Sequence, residues 1–80
     1  MSAVAAVELK AGDHIRVVGW IMLRGLEEGH YRVAYIGRYR GQPTYAFTKP
    51  RGKRIVAVHF CTSVDGWINS RNQNRIDILP

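Results

Sequence analysis

G-H-Y-R-V-A-Y-I-G-R-Y-R-G-Q-P-T-Y-A-F-T-K-P-R-G-K-R-I-V-A-V-H-F-C-T-S-V, residues Gly29 to Val64, decides the fold. Two turn signals cut this stretch into three runs. Arg40-Gly41-Gln42-Pro43 fits a two-residue hairpin loop with Gly41 at the first central position, where a type II′ turn demands φ > 0. Pro43 has no N–H and suits the first residue of the next strand. Lys49-Pro50-Arg51-Gly52-Lys53 fits a type I turn with Pro50 at its second position, closed by Gly52 in a left-handed G1 bulge. The stretch therefore reads as a three-stranded antiparallel meander.

Those turns set a register, and register sets faces. From the first turn Tyr39 falls opposite Thr44, Arg38 opposite Tyr45 and Ile36 opposite Phe47. From the second, Phe47 falls opposite Ile55 and Tyr45 opposite Ala57. One face then collects Tyr31, Val33, Tyr35, Gly37, Tyr39, Thr44, Ala46, Thr48, Arg54, Val56, Val58 and Phe60. The other collects Arg32, Ala34, Ile36, Arg38, Arg40, Tyr45, Phe47, Lys49, Lys53, Ile55, Ala57 and His59. The first holds one formal charge and the second five, and burying unpaired charge is costly. The first face is thus the expected core, and the second an exposed surface that sets arginines beside Tyr45 and Phe47. A bulge would invert part of this assignment, making Ile36, Phe47 and Ile55 core and the arginines rim.

Working outward, residues 1–8 are small and apolar without a clear period, and read as a flexible tail or a short edge strand. Residues 9–80 read as one small domain. Gly12-Asp13 punctuates the chain before His14 to Leu23, a β-branched and aromatic run that reads as a strand. Gly19 inside it marks a bulge or a close backbone approach, and apolar character from Val17 to Leu23 predicts cover on both faces. Trp20 and Trp67 are expected in the core. Arg24 to Gly29 is a loop. After Phe60, Ser63 to Ile68 reads as a helical turn, Asn69 to Asn74 as a polar loop, and Arg75 to Leu79 as a last alternating strand.

The total is an all-β chain of five strands, with one short helical turn before the last. In architecture this order resembles a small SH3-like barrel, with an OB-like barrel as the alternative. Closing the sheet would remove its exposed edges. An unclosed edge at the first or last strand would offer a route to a homodimer.

The formal net charge is +6, with a pI of about 10.1, and nine of the twelve basic residues are arginine. Such a balance favours polyanions, and the guanidinium fork matches phosphates and base edges. The single cysteine, Cys61, excludes an internal disulfide and fits a reducing compartment. No apolar run approaches the ~18 residues of a membrane span, and the N-terminus lacks the basic region of a signal peptide. The expectation is a cytoplasmic protein. His14, His30 and His59 have no metal-ligand spacing, and nothing calls for a cofactor.

Three groups point to nucleic acid. The basic–aromatic sheet face offers Arg32, Arg38, Arg40, Tyr45, Phe47, Lys49 and Lys53: rings stack bases while cations follow phosphates. The hairpin tip Lys49 to Arg54, with Arg51 and Arg54, can clamp a backbone. Arg71 and Arg75 sit in an amide-rich loop able to meet base edges. The leading expectation is a non-enzymatic DNA- or RNA-binding protein. The alternative is an interaction module, an adaptor or inhibitor, that docks this basic surface on an acidic protein. A ribonuclease using His59 with Arg38 and Tyr45 is a distant third.

Overall fold

The computed structural model describes residues 8–68 and 72–80. The elements run β1 His14–Val18, β2 Gly29–Tyr39, β3 Gln42–Thr48, β4 Ile55–Phe60, α1 Cys61–Ile68 and β5 Arg75–Leu79. All five strands join one antiparallel sheet in the order β4-β3-β2-β1-β5, so the meander is correct and the last strand returns beside the first. Among the described residues the sheet is open, with β4 and β5 at its edges. Among the described residues no helix is long and apolar enough to cross a membrane.

The first hairpin has the two-residue loop of the sequence reading, but it lies one residue earlier in the chain. Tyr39 pairs with Gln42, leaving Arg40 and Gly41 as the central residues, and both have positive φ (51° and 79°). This is a type I′ geometry, whose twist matches the flanking strands. Gly41 is therefore second, not first. At the second turn, Gly52 N–H donates to the Lys49 carbonyl at 3.0 Å, which puts Pro50 where the type I reading placed it. Gly52, however, is not among the positive-φ glycines, so no left-handed closure occurs there.

The face assignment changes because β2 is bulged at Ala34. Val33 pairs with Phe47 and Tyr35 with Ala46, so one residue of β2 has no counterpart on β3. A bulge moves everything beyond it to the opposite face. Tyr31 and Val33 consequently point inward beside Tyr45 and Phe47, while Tyr35, Gly37 and Tyr39 point outward. The core comprises Leu9, Ile15, Val17, Ile21, Leu26, Tyr31, Val33, Tyr45, Phe47, Ala57, Cys61, Val64 and Ile76. Leu23, Trp67 and Ile68 pack against it. The expectation of Tyr45 and Phe47 on a solvent face is thus overturned: they are 2% and 0% exposed. Ile36 and Ile55 do not become core either, being exposed and half-buried respectively.

β1 ends earlier than the apolar run suggests. At Gly19 φ is +71°, and a side chain there would strike Asn74 Oδ1. That oxygen accepts from Trp20 N–H at 3.0 Å, while Glu28 Oε2 accepts from Gly19 N–H at 3.0 Å. The backbone thus turns out of the sheet, anchored by two side chains. Ile21 then drops into the core, but Trp20 is 72% exposed, which corrects the core assignment made for it.

Candidate nucleic-acid interface

Two faces follow from this register. On the outer face β1 contributes His14 and Arg16, paired with Arg32 and His30 of β2; the intervening Ile15, Val17 and Tyr31 are buried. Beyond the bulge, the outer face continues as Tyr35, Gly37 and Tyr39, flanked by Ala46 and Thr44 of β3 and then Val58 and Phe60 of β4. One half is cationic and the other aromatic. The acid that β5 adds opposite Arg16, Asp77, is held by Arg75 through a 3.0 Å Nε–Oδ1 ion pair.

The aromatic half forms a groove of about 470 Å³. Its floor is low because Gly37 and Thr44 are small. A side-chain carbon on Gly37 would come within 3.4 Å of the Tyr35 ring and 3.5 Å of Thr44 Oγ1. Tyr35 (52% exposed), Tyr39 (55%), Val58 and Phe60 form the walls. The Tyr39 and Phe60 rings are tilted against each other with centroids 6.1 Å apart. Arg38 lines one rim, and its Nη1 donates to the Gly41 carbonyl at 3.0 Å. Arg40 lies over Tyr39 with its guanidinium carbon 5.4 Å from the ring centroid, within cation–π range. An open apolar trough with cations at its rim offers planar ligands a stacking surface and anions a counter-charge.

The residues singled out from the sequence divide into several groups. Arg32, Arg38 and Arg40 sit on or beside this face. Arg51, Lys53 and Arg54 are exposed at the β3–β4 turn, at the opposite end of the sheet from Arg40. Lys49 covers the edge of the core, its Nζ 4.4 Å from the Tyr31 ring centroid. Arg75 is tied to Asp77 and also donates to the Asn72 carbonyl at 3.3 Å. Arg71 lies outside the described residues.

Tyr45 and Phe47 leave the candidate site altogether. The Tyr45 hydroxyl donates to Asp65 Oδ1 at 2.8 Å and accepts from Leu9 N–H at 3.0 Å. Burial pushes this phenol far above the ordinary tyrosine range, despite the Leu9 hydrogen bond pulling the other way. Burial likewise raises Cys61 and Asp65 above their usual values. The expected grouping of His59, Arg38 and Tyr45 is not assembled as a solvent-facing acid–base set. His59 Nε2 donates to the Arg24 carbonyl at 2.6 Å, and the tyrosine hydroxyl is committed inside. Among the described residues no three His, Cys, Asp or Glu side chains come together as a metal centre.

Sequence reasoning missed Tyr35, Tyr39 and Phe60 as surface aromatics, and His14, Arg16 and Thr48 as members of the other half of the same face. One signal was present: a glycine between two tyrosines, Tyr35-Gly37-Tyr39, leaves a hollow that a packed core would fill. No protein-family model matches the chain, and no curated protein or solved structure matches it, so its chemistry rests on this geometry alone.

Proposed function

We propose that this protein binds single-stranded nucleic acid across the outer face of its sheet. Bases stack on Tyr35, Tyr39 and Phe60, while Arg16, Arg32, Arg38, Arg40 and Lys53 follow the phosphates. The observation that carries the reading is the exposure of three aromatic rings around one shallow groove, on a sheet face with an excess of arginine. Soluble surfaces rarely leave such rings clustered without a partner. Stacking is tolerant of sequence because every base has a π-face. Duplex DNA keeps its bases stacked internally, which is why a single strand is the better ligand. For the architecture we propose an open relative of the SH3-like arrangement, with a helical segment leading into a final strand that returns beside the first.

The test is fluorescence anisotropy with a labelled oligothymidylate of about 12 nucleotides, within the range of site sizes of small barrel-type binders. Tyr39→Ala and Phe60→Ala should each weaken binding by about 1–3 kcal/mol, with the fold retained by circular dichroism. The Lys53→Glu, Arg54→Glu double variant should weaken it through charge alone. Undiminished binding by all three variants would remove this reading.

A second reading, an interaction module for an acidic protein, is favoured by Trp20 and Met22. Both stand exposed on the β1–β2 loop, Met22 with a φ of +63°. Exposed tryptophan is a frequent anchor of protein interfaces. A stoichiometric protein partner that survives nuclease treatment and is lost on Trp20→Ala would favour this second reading.

A further inference from the structure

At the cationic end of the outer face there is a second recess, of about 420 Å³, separate from the aromatic groove. Its wall includes His14, Arg32, Thr48 and Lys53, with Gly12 and Gly52 at its margins. The placement follows from pairing. His14 lies opposite Arg32, and Arg32 opposite Thr48, so the three stand in a row across β1, β2 and β3. Neighbouring strands are about 4.8 Å apart, so the row is as wide as a tetrahedral anion with its hydrogen-bond donors. The β3–β4 turn brings Lys53 to one side of the row, and the Lys10–Asp13 turn brings Gly12 to the other.

Two features mark this recess as a ligand site rather than a gap between turns. The first is Thr48: the residue is 2% exposed, and its Oγ1 is buried without a hydrogen-bond partner. A buried hydroxyl left unpaired costs free energy, and a ligand oxygen in the recess would supply the missing acceptor. The second is charge. Arginine and lysine converge here, and among the described residues no acidic side chain lines the wall. The nearest carboxylate in sequence, Asp13, is turned aside to accept from Lys10 N–H at 2.7 Å. Donors without acceptors select an anion, and the guanidinium fork of Arg32 suits a phosphoryl group.

We infer that this recess is a phosphate subsite, in which Arg32, Lys53, His14 and the Thr48 hydroxyl hold one backbone phosphate of a strand whose bases occupy the aromatic groove. Thr48 and Thr44 are four residues apart on β3, so the two subsites are separated by about 13 Å along one face. The identity of the phosphate's carrier rests on the proposed function; the anion site itself does not.

The test has two arms. In the first, the protein is titrated with inorganic phosphate at constant ionic strength, and backbone amide chemical shifts are followed by NMR. Saturable shifts should cluster at Arg32, Val33, Ala34, Thr48 and Lys53. They should vanish in the Arg32→Gln, Lys53→Gln double variant. Thr48→Val keeps the side chain's shape and removes an unpaired hydroxyl, so it should fold as stably as the parent or more so. It should nevertheless bind phosphate about fivefold more weakly, the loss of roughly one hydrogen bond. Diffuse shifts at every basic residue, or unchanged binding in Thr48→Val and the double variant, would overturn the subsite.

In the second arm the same variants are measured against the labelled oligothymidylate. A loss of about tenfold or more in the double variant supports the shared strand. Parent-like oligonucleotide affinity in that variant would overturn the subsite while leaving the aromatic groove standing. Localised phosphate binding with no oligonucleotide binding by the parent would do the reverse: the anion site would stand and the nucleic-acid reading would fall.

Discussion

The hydroxyl of Tyr45 joins three segments far apart in the chain: the backbone at Leu9, the central strand β3 and Asp65 of α1. Tyr45→Phe would leave a buried backbone donor and a carboxylate without their partner, so a loss of about 1–3 kcal/mol is expected by chemical denaturation. Asp65 behaves differently. Its carboxyl is raised by burial, so the folded chain holds the proton more tightly than the unfolded one. Its contribution to stability is therefore fully present below the ordinary carboxylate pKa and is lost as pH rises from about 4 through the raised folded value. Asp65→Asn keeps an acceptor for the tyrosine and should remove that decline. A denaturation series at several pH values reads it directly, and an unchanged pH slope would contradict the assignment. At the hairpin tip, Arg40 holds a left-handed conformation that costs a non-glycine residue about 1–2 kcal/mol. Its exposed contact with Tyr39 returns only about 0.5–1 kcal/mol. Asparagine tolerates that conformation and is favoured at this position of a type I′ turn. Arg40→Asn should therefore raise the melting temperature by about 4 °C.

At the scale of elements, β2 determines which side chains the solvent meets. Without the bulge, a single alternation would run from Tyr31 to Tyr39 and put five large or small apolar positions on one face. With it, the strand serves two faces in turn: Tyr31 and Val33 inward, then Tyr35 and Tyr39 outward. Deleting Ala34 would make Val33 and Tyr35 consecutive and let them keep their present partners, Phe47 and Ala46, in a regular ladder, so both faces survive. The deletion is therefore expected to keep a cooperative unfolding transition in calorimetry, as is Ala34→Ser, which keeps the bulge. Loss of that transition on deletion would mean that the extra twist of the bulge is itself needed for the core to close. The bulge was not legible because it depends on which residues fill the core from β1, β3 and α1. The alternating letters of β2 are compatible with both arrangements. The places of the two turns were legible, since Gly41 and Pro50 punctuate the chain locally, but their types were not: the first centres on Arg40 and Gly41, and the second closes without a left-handed glycine.

At the scale of the molecule, the net charge of +6 is spread unevenly. Arg16, Arg32 and two histidines share one half of the outer face with the recess above Thr48, while the rings of Tyr35, Tyr39 and Phe60 occupy the other. If about four phosphates are neutralised there, the logarithm of the binding constant should fall with the logarithm of salt at a slope of about −3. A slope near zero would mean that charge does not contribute to binding. By itself the sequence determined the mostly-β character, the order of five strands with a short helix before the last, the positions of both tight turns and the excess of arginine. Each of these is written in local conformational preference or in composition, which need no knowledge of distant neighbours. Only the tertiary structure decided that Tyr45 and Phe47 are buried, that Trp20 is not, and that the sheet stays open. It alone aligned His14, Arg32 and Thr48. Those outcomes depend on register across strands, where one unpaired residue exchanges the two faces, and on long-range packing that no single segment encodes.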